Sequence, residues 1–277
     1  MRLLVGVLLL GVLHAACAST SGIRLPDGQG TFLPAFEERF EAAVDQCRRV
    51  RSMELAIAIN ARSGGRQLRG DVLGALARPA SVRLVGVAPF GAPAFQLVAE
   101  ADAAVLVLPR DRQYVRAPTG DVLLEALAGL PLGPEDLRAV LTGCLVPRAH
   151  AVAGRIYPSG WVEIDLDENA RLYIQNLDGA DVVVAGTRPG MRIEYFDHVR
   201  GLPRRLHVVV NDADGVVTDL TAVLSQVSIN IELHPDVFVA DIGDDYVSVT
   251  LDQFRGASRP LETAARGPAS ASSASAR

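Results

Sequence analysis

Apolar and polar positions alternate along most of this chain, and the period of alternation changes at only a few places. Met53, Leu55, Ile57 and Ile59 alternate with Glu54, Ala56, Ala58 and Asn60, after which Ser63-Gly64-Gly65 turns the chain back. A period of two puts alternate side chains on opposite faces of a strand, so this stretch predicts a β-hairpin. Strands are expected at Arg66–Leu76, Val82–Val87, Ala94–Ala99 and Ala104–Leu108, separated by turns bearing Pro and Gly. In the first of these, Leu68, Val72 and Leu76 share a face with Gly70 and Gly74, and glycine inside a strand accompanies bending or close backbone approach.

Upstream of the hairpin the period is helical. Phe36, Phe40, Ala43, Val44, Cys47 and Val50 form one apolar face, with Glu37, Glu38, Arg39, Arg48 and Arg49 on the other. Acid at the start and base at the end suit the helix dipole. Past Leu108 strand periodicity stops. Asp121–Leu130 and Pro134–Leu141 read as two short helices, the second with Pro134 in its first turn and Gly143 as its stop. The meander then resumes over Trp161–Leu166, Arg171–Gln175, Asp181–Thr187, Met191–His198, Arg204–Val210 and Val216–Ala222. About eleven short strands in sequence-adjacent hairpins imply one large antiparallel sheet that must curl or be covered, and three helices are available as cover.

The first residues set an address. Arg2 precedes an uncharged apolar run, Leu3 to Leu13, which ends in Ala15-Ala16-Cys17-Ala18, the form of a signal peptide over residues 1–16. Such a run spans roughly 16 Å as a helix, far short of the ~30 Å hydrocarbon core. Cys17 after two alanines resembles the lipobox of bacterial lipoproteins, with His14 where that motif usually carries leucine. The resemblance implies acylation of Cys17. The alternative is ordinary cleavage near Ala16 to release a soluble protein. Residues 17–33 contain Ser, Gly, Pro and Asp without periodicity and are expected as a flexible tether, and residues 256–277 as a disordered tail.

A net charge of −5 with no basic stripe argues against a nucleic-acid partner. Cys47 and Cys144 are the other cysteines, and in an exported chain they could form a disulfide, or remain two small buried thiols. No nucleophile elbow, zinc-protease motif, phosphate loop or Cys-x-x-Cys is present. His150, His198, His207 and His234 show no ligand spacing. Asp212-Ala213-Asp214-Gly215 echoes the centre of a calcium loop, but Val210 and Thr221 stand where its first and twelfth positions need carboxylates, so a hairpin turn is the better reading. No enzyme activity, cofactor or metal is therefore expected. Phe90, between Pro89 and Gly91 at a turn, either projects toward a membrane or partner or folds back on its sheet.

The order of these elements (lipobox, amphipathic helix, meander, Pro-Phe-Gly turn, two short helices, further meander) resembles that of LolB and, more broadly, of the LolA/LolB lipoprotein-localisation superfamily, over roughly Phe36 to Val227. The resemblance implies an α+β fold: a curled antiparallel half-barrel of about eleven strands, over residues 34–255, with helices covering a concave face that receives lipoprotein acyl chains. Strand alternation nominates Met53, Leu55, Ile57, Ile59, Leu68, Val72, Leu84, Phe95 and Leu97 as the lining of that face, or as plain core. Phe90 stands where the family carries a protruding apolar residue that promotes insertion of cargo into the membrane. The implied protein is a monomeric receptor anchored in the outer membrane, facing the periplasm and loaded by a periplasmic lipoprotein carrier.

Overall fold

A computed structural model describes residues 22–88 and 93–256. Its strands form a single open sheet, and they are, in chain order, β1 (Thr31–Phe32), β2 (Ser52–Ser63), β3 (Arg66–Ala77), β4 (Ser81–Gly86), β5 (Phe95–Ala99), β6 (Ala104–Leu108), β7 (Gln113–Ala117), β8 (Ala151–Ile156), β9 (Val162–Leu166), β10 (Arg171–Leu177), β11 (Ala180–Arg188), β12 (Met191–Phe196), β13 (Arg205–Asp212), β14 (Gly215–Ile229) and β15 (Val247–Ser248). The helices are α1 (Phe36–Arg49), α2 (Gly120–Ala128), α3 (Pro134–Thr142) and α4 (Leu251–Gly256). None of the described helices is long and apolar enough to cross a membrane.

The expected count of about eleven strands is corrected to fifteen. The additions are β1, β7, β8 and β15, of which two are two-residue edge strands that exist only through their partners. The sheet runs β1-β8-β9-β10-β11-β12-β13-β14-β2-β3-β4-β5-β6-β7-β15, so the late pairing of β14 with β2 joins two meanders into one surface. All neighbours are antiparallel except β15, which lies parallel to β7.

Register explains how the sheet buries one face. Leu55, Gly74, Leu84, Leu97, Leu106 and Val115 stand in line across six strands. In the other meander Gly154, Ile164, Leu172, Gly186, Ile193, Val208 and Leu220 do the same, and Leu220 meets Ala61 of β2. Because successive side chains alternate, these rows share the concave face, and the helices lie on it. α1 packs over β8 and β11, and α2 over β5 to β7. Gly154 lets α1 approach: a β-carbon there would lie 2.2 Å from that of Phe36. Cys47 in α1 is bonded to Cys144 just past α3, with Cα atoms 5.7 Å apart. The covers of the two halves are thereby stapled to each other.

The outer face carries polar networks and the N-terminal end of the described chain. Glu163 is 4% exposed and is held by Arg155 at 2.5 Å, Arg171 at 3.2 Å and the Tyr157 hydroxyl at 2.7 Å. Glu194 is held by Arg192 and by His207, which also meets Asp219. Arg192 in addition donates to the Ile23 carbonyl, and Gly30 abuts Tyr157, so residues 22–30 of the expected tether lie along this face. The Asp212–Gly215 segment is the β13–β14 turn, its Asp212 carboxylate accepting from the Asp214 and Gly215 amides.

Burial first, and the hydrogen bond to Glu163 second, push the Tyr157 phenol up to about 12. A folded value above the ordinary one of about 10 means that Tyr157 contributes stability below pH ~10 and loses it as pH rises toward 12. Burial pushes the phenol of the enclosed Tyr195 up further still, so alkaline spectrophotometric titration is expected to show two late-ionising tyrosines, the earlier of which disappears in Tyr157→Phe. Loss of a different tyrosine's transition would show the assignment to be wrong.

Candidate functional site

Between the concave face and the α2–α3 pair lies a cavity of about 70 Å³ whose surface presents no polar atom. Ile57, Ile59, Val72, Leu84 and Phe95 line its floor from β2 to β5, and Leu206, Val208, Leu220 and Ala222 extend the floor onto β13 and β14. Its roof is Leu124, Leu127 and Ala128 of α2, Leu130 and Leu132 of the connection, and Leu137, Val140 and Leu141 of α3.

Five of the nine sequence-nominated residues thus meet around one space. Met53, Leu55, Leu68 and Leu97 share the concave face and are buried, but pack as core away from the cavity wall. Cys17 and Phe90 lie outside the described residues. Cys47 and Cys144 are disulfide-bonded and hold the cover rather than line the space. The roof residues were missing from the sequence-derived lining, although their signal was present: Leu124 and Leu127, and Leu137, Val140 and Leu141, recur at helical spacing. The floor contributed by β13 and β14 alternates just as clearly. What was not visible is that β14 pairs with β2.

Local rules seat the roof. α2 ends at Gly129 in the left-handed region, φ 70°, with its amide donating to the Glu125 carbonyl. A β-carbon on Gly129 would come within 2.3 Å of the Thr218 hydroxyl and 2.4 Å of that of Ser63, so glycine is needed both for the turn and for the contact. Those two hydroxyls are buried and bond each other at 2.9 Å. α3 starts at Pro134 and ends at Gly143, φ 90°.

One buried residue of α3 is a poorly satisfied cation. Arg138 of α3 is 6% exposed, donates from Nη1 to the Val50 carbonyl at 3.3 Å, and lies 3.9 Å from Glu135. Its Nε has no partner among the described residues. Burial, then repulsion from Arg78, holds its pKa below the ordinary arginine value, against the pull of Glu135. A buried, half-satisfied cation of this kind costs on the order of 1–3 kcal/mol.

The cavity lining is hydrocarbon throughout, and no group of three His, Cys, Asp or Glu side chains converges as a metal site among the described residues. What the arrangement can do is exclude water from an apolar guest.

No family model and no curated protein matches the chain. Among solved structures it is similar to a DUF1329 family protein from Desulfovibrio piger, at 11% identity over 73% of this chain and 96% of that one, with a TM-score of 0.48. A LolA superfamily protein from Nitrosomonas europaea is similar at 11% identity over 74% and 96%, TM-score 0.47. The lipoprotein LppX from Mycobacterium tuberculosis is similar at 11% identity over 72% and 99%, TM-score 0.30.

Proposed function

We propose that this chain is an envelope lipoprotein, anchored through Cys17 in the outer membrane and facing the periplasm, that takes the acyl chains of other lipoproteins between its sheet and the α2–α3 roof and helps deliver them into that membrane. The observation that carries this reading is the wholly apolar, roofed cavity on the concave face. Ligand pockets usually enclose about 300–1,000 Å³, and a dry apolar cavity of about 150 Å³ holds one benzene. A cavity of about 70 Å³ is too small for an acyl chain as it stands, so on this reading the chain enters by displacing the roof.

The protein, purified without detergent, is mixed with a triacylated lipopeptide or with palmitate and examined by native mass spectrometry. A one-to-one complex with the lipopeptide, stronger than with palmitate, is the expected result. Binding of palmitate alone would favour a carrier for free lipid. Binding of neither would leave a structural envelope protein with a filled core. Depletion in cells is expected to leave lipoproteins mislocalised in a pulse-chase, and unchanged sorting would sink the delivery role.

Filling the cavity provides a further test. Ala222 lines the floor and is buried, so Ala222→Leu places three carbons in the void. At about 24 cal/mol per Å³ the cavity accounts for up to about 1.7 kcal/mol, so the variant is expected to be more stable by up to that amount. Because the guest must compete with the filled state, affinity for the lipopeptide should fall roughly ten- to twentyfold. Unchanged affinity would place the guest elsewhere.

A further inference from the structure

Beyond Ile229 the chain leaves β14, in the middle of the sheet, and crosses the outer face toward the edge formed by β7 and β15. The Ser52 hydroxyl donates to the Ile231 carbonyl at 2.5 Å, and Arg83 Nη1 donates to the Val237 and Val239 carbonyls, each at 3.0 Å. The belt then reaches β7: the Val247 amide donates to the Arg112 carbonyl at 2.8 Å and the Val249 amide to the Tyr114 carbonyl at 2.9 Å. Thr250 and Gln253 cap α4 reciprocally, the Gln253 amide donating to the Thr250 hydroxyl and the Thr250 amide to the Gln253 side chain. At six residues α4 is too short to hold itself together, so its helicity depends on what it packs against.

What it packs against is α2 and β7. Phe254 is 3% exposed and belongs to the main core, and Arg255 lies 3.9 Å from Glu125 of α2, with both side chains about half exposed. α4 therefore stands on the outer flank of the roof helix. The far end of the roof is stapled: the disulfide at Cys144 follows directly on α3. If the roof lifts, the end free to move is α2, and that is the end α4 abuts.

We propose that α4 is a releasable chock on α2, and that an acyl chain reaches the concave cavity along the margin between α2 and β7 when Phe254 leaves its seat. The route rests on the acyl-chain reading given above; the chock does not. A two-residue strand, one buried ring and one exposed ion pair form a small local unit, of the kind that opens without global unfolding.

Hydrogen exchange by mass spectrometry on the full chain tests the chock without any ligand. In Phe254→Ser, amides of α2 (Gly120–Ala128) are expected to exchange at least tenfold faster, with α3 and the β2–β3 hairpin unchanged. Arg255→Glu, an exposed change that leaves the core intact, is expected to speed α2 exchange about two- to threefold. Loading of a fluorescent palmitoyl lipopeptide should accelerate in the same order in the two variants. Unchanged α2 exchange in both variants, or faster exchange across the whole sheet in Phe254→Ser with none in Arg255→Glu, would overturn the chock. If α2 exchange rises as expected while the lipopeptide binds to no form of the protein, the chock stands and the acyl-chain reading falls.

Discussion

Replacing Cys47 and Cys144 together by alanine is expected to cost the protein about 4–5 kcal/mol, the largest loss from any pair of substitutions considered. The bridge joins residues 97 apart in sequence, and in the chain-entropy model a loop near a hundred residues restricts the unfolded ensemble by that amount. Alanine avoids burying a new hydroxyl at two positions that are 3% and 6% exposed. For a domain of this size, the melting temperature should fall by roughly 10 °C or more. Urea unfolding of the oxidised protein, the reduced protein and the double variant would measure it. A difference under about 1 kcal/mol would show that the unfolded chain gains nothing from the cut. The bridge also ties α1 to the end of α3, so the variant should lose protection in the roof before it loses the sheet.

The second large effect is expected at Phe95. Its ring is 1% exposed and lies over Gly86, where a β-carbon would be 2.4 Å from the ring, and it lines the cavity floor. Phe95→Ala should destabilise by about 3–5 kcal/mol, since both the buried ring and its contacts are lost and the gap closes only in part. The void adds to the existing cavity. Lipopeptide binding is therefore expected to strengthen while stability falls, a divergence that a purely structural core residue would not produce. Parallel urea unfolding and native mass spectrometry would separate the two; loss of both stability and binding would assign Phe95 to scaffold alone.

How much was legible from the chain can be judged at particular residues. The inward set of β2, from Met53 to Ile59, follows from alternation alone, because a pleated strand has only two faces and Glu54 cannot share the buried one cheaply. Helix α1 followed from its apolar stripe and end charges, and α3 from Pro134 and Gly143. The four missed strands have a common cause. Gln113–Ala117 sits in a polar, arginine-bearing stretch, Ala151–Ile156 is built from small residues, and Thr31–Phe32 and Val247–Ser248 are too short to have a period. These strands are defined by the hydrogen bonds of a neighbour rather than by their own pattern. α4 was hidden for the same reason: it is seated by Phe254 finding a slot between two distant elements.

By itself, then, the amino-acid order determined periods, turns and the side of each strand or helix that seeks burial, because those depend on backbone geometry within a few residues. Tertiary structure alone decided that β14 would lie beside β2 and so bring Leu220 and Ala222 to the same floor as Ile57, that Met53 and Leu55 would be core while Ile57 and Ile59 would face a void, and that Cys47 would meet Cys144. Those outcomes depend on pairings 97 residues or more apart in the chain and on how fully two surfaces fill the space between them. Periodicity carries the sign of burial, but neither its partner nor its depth.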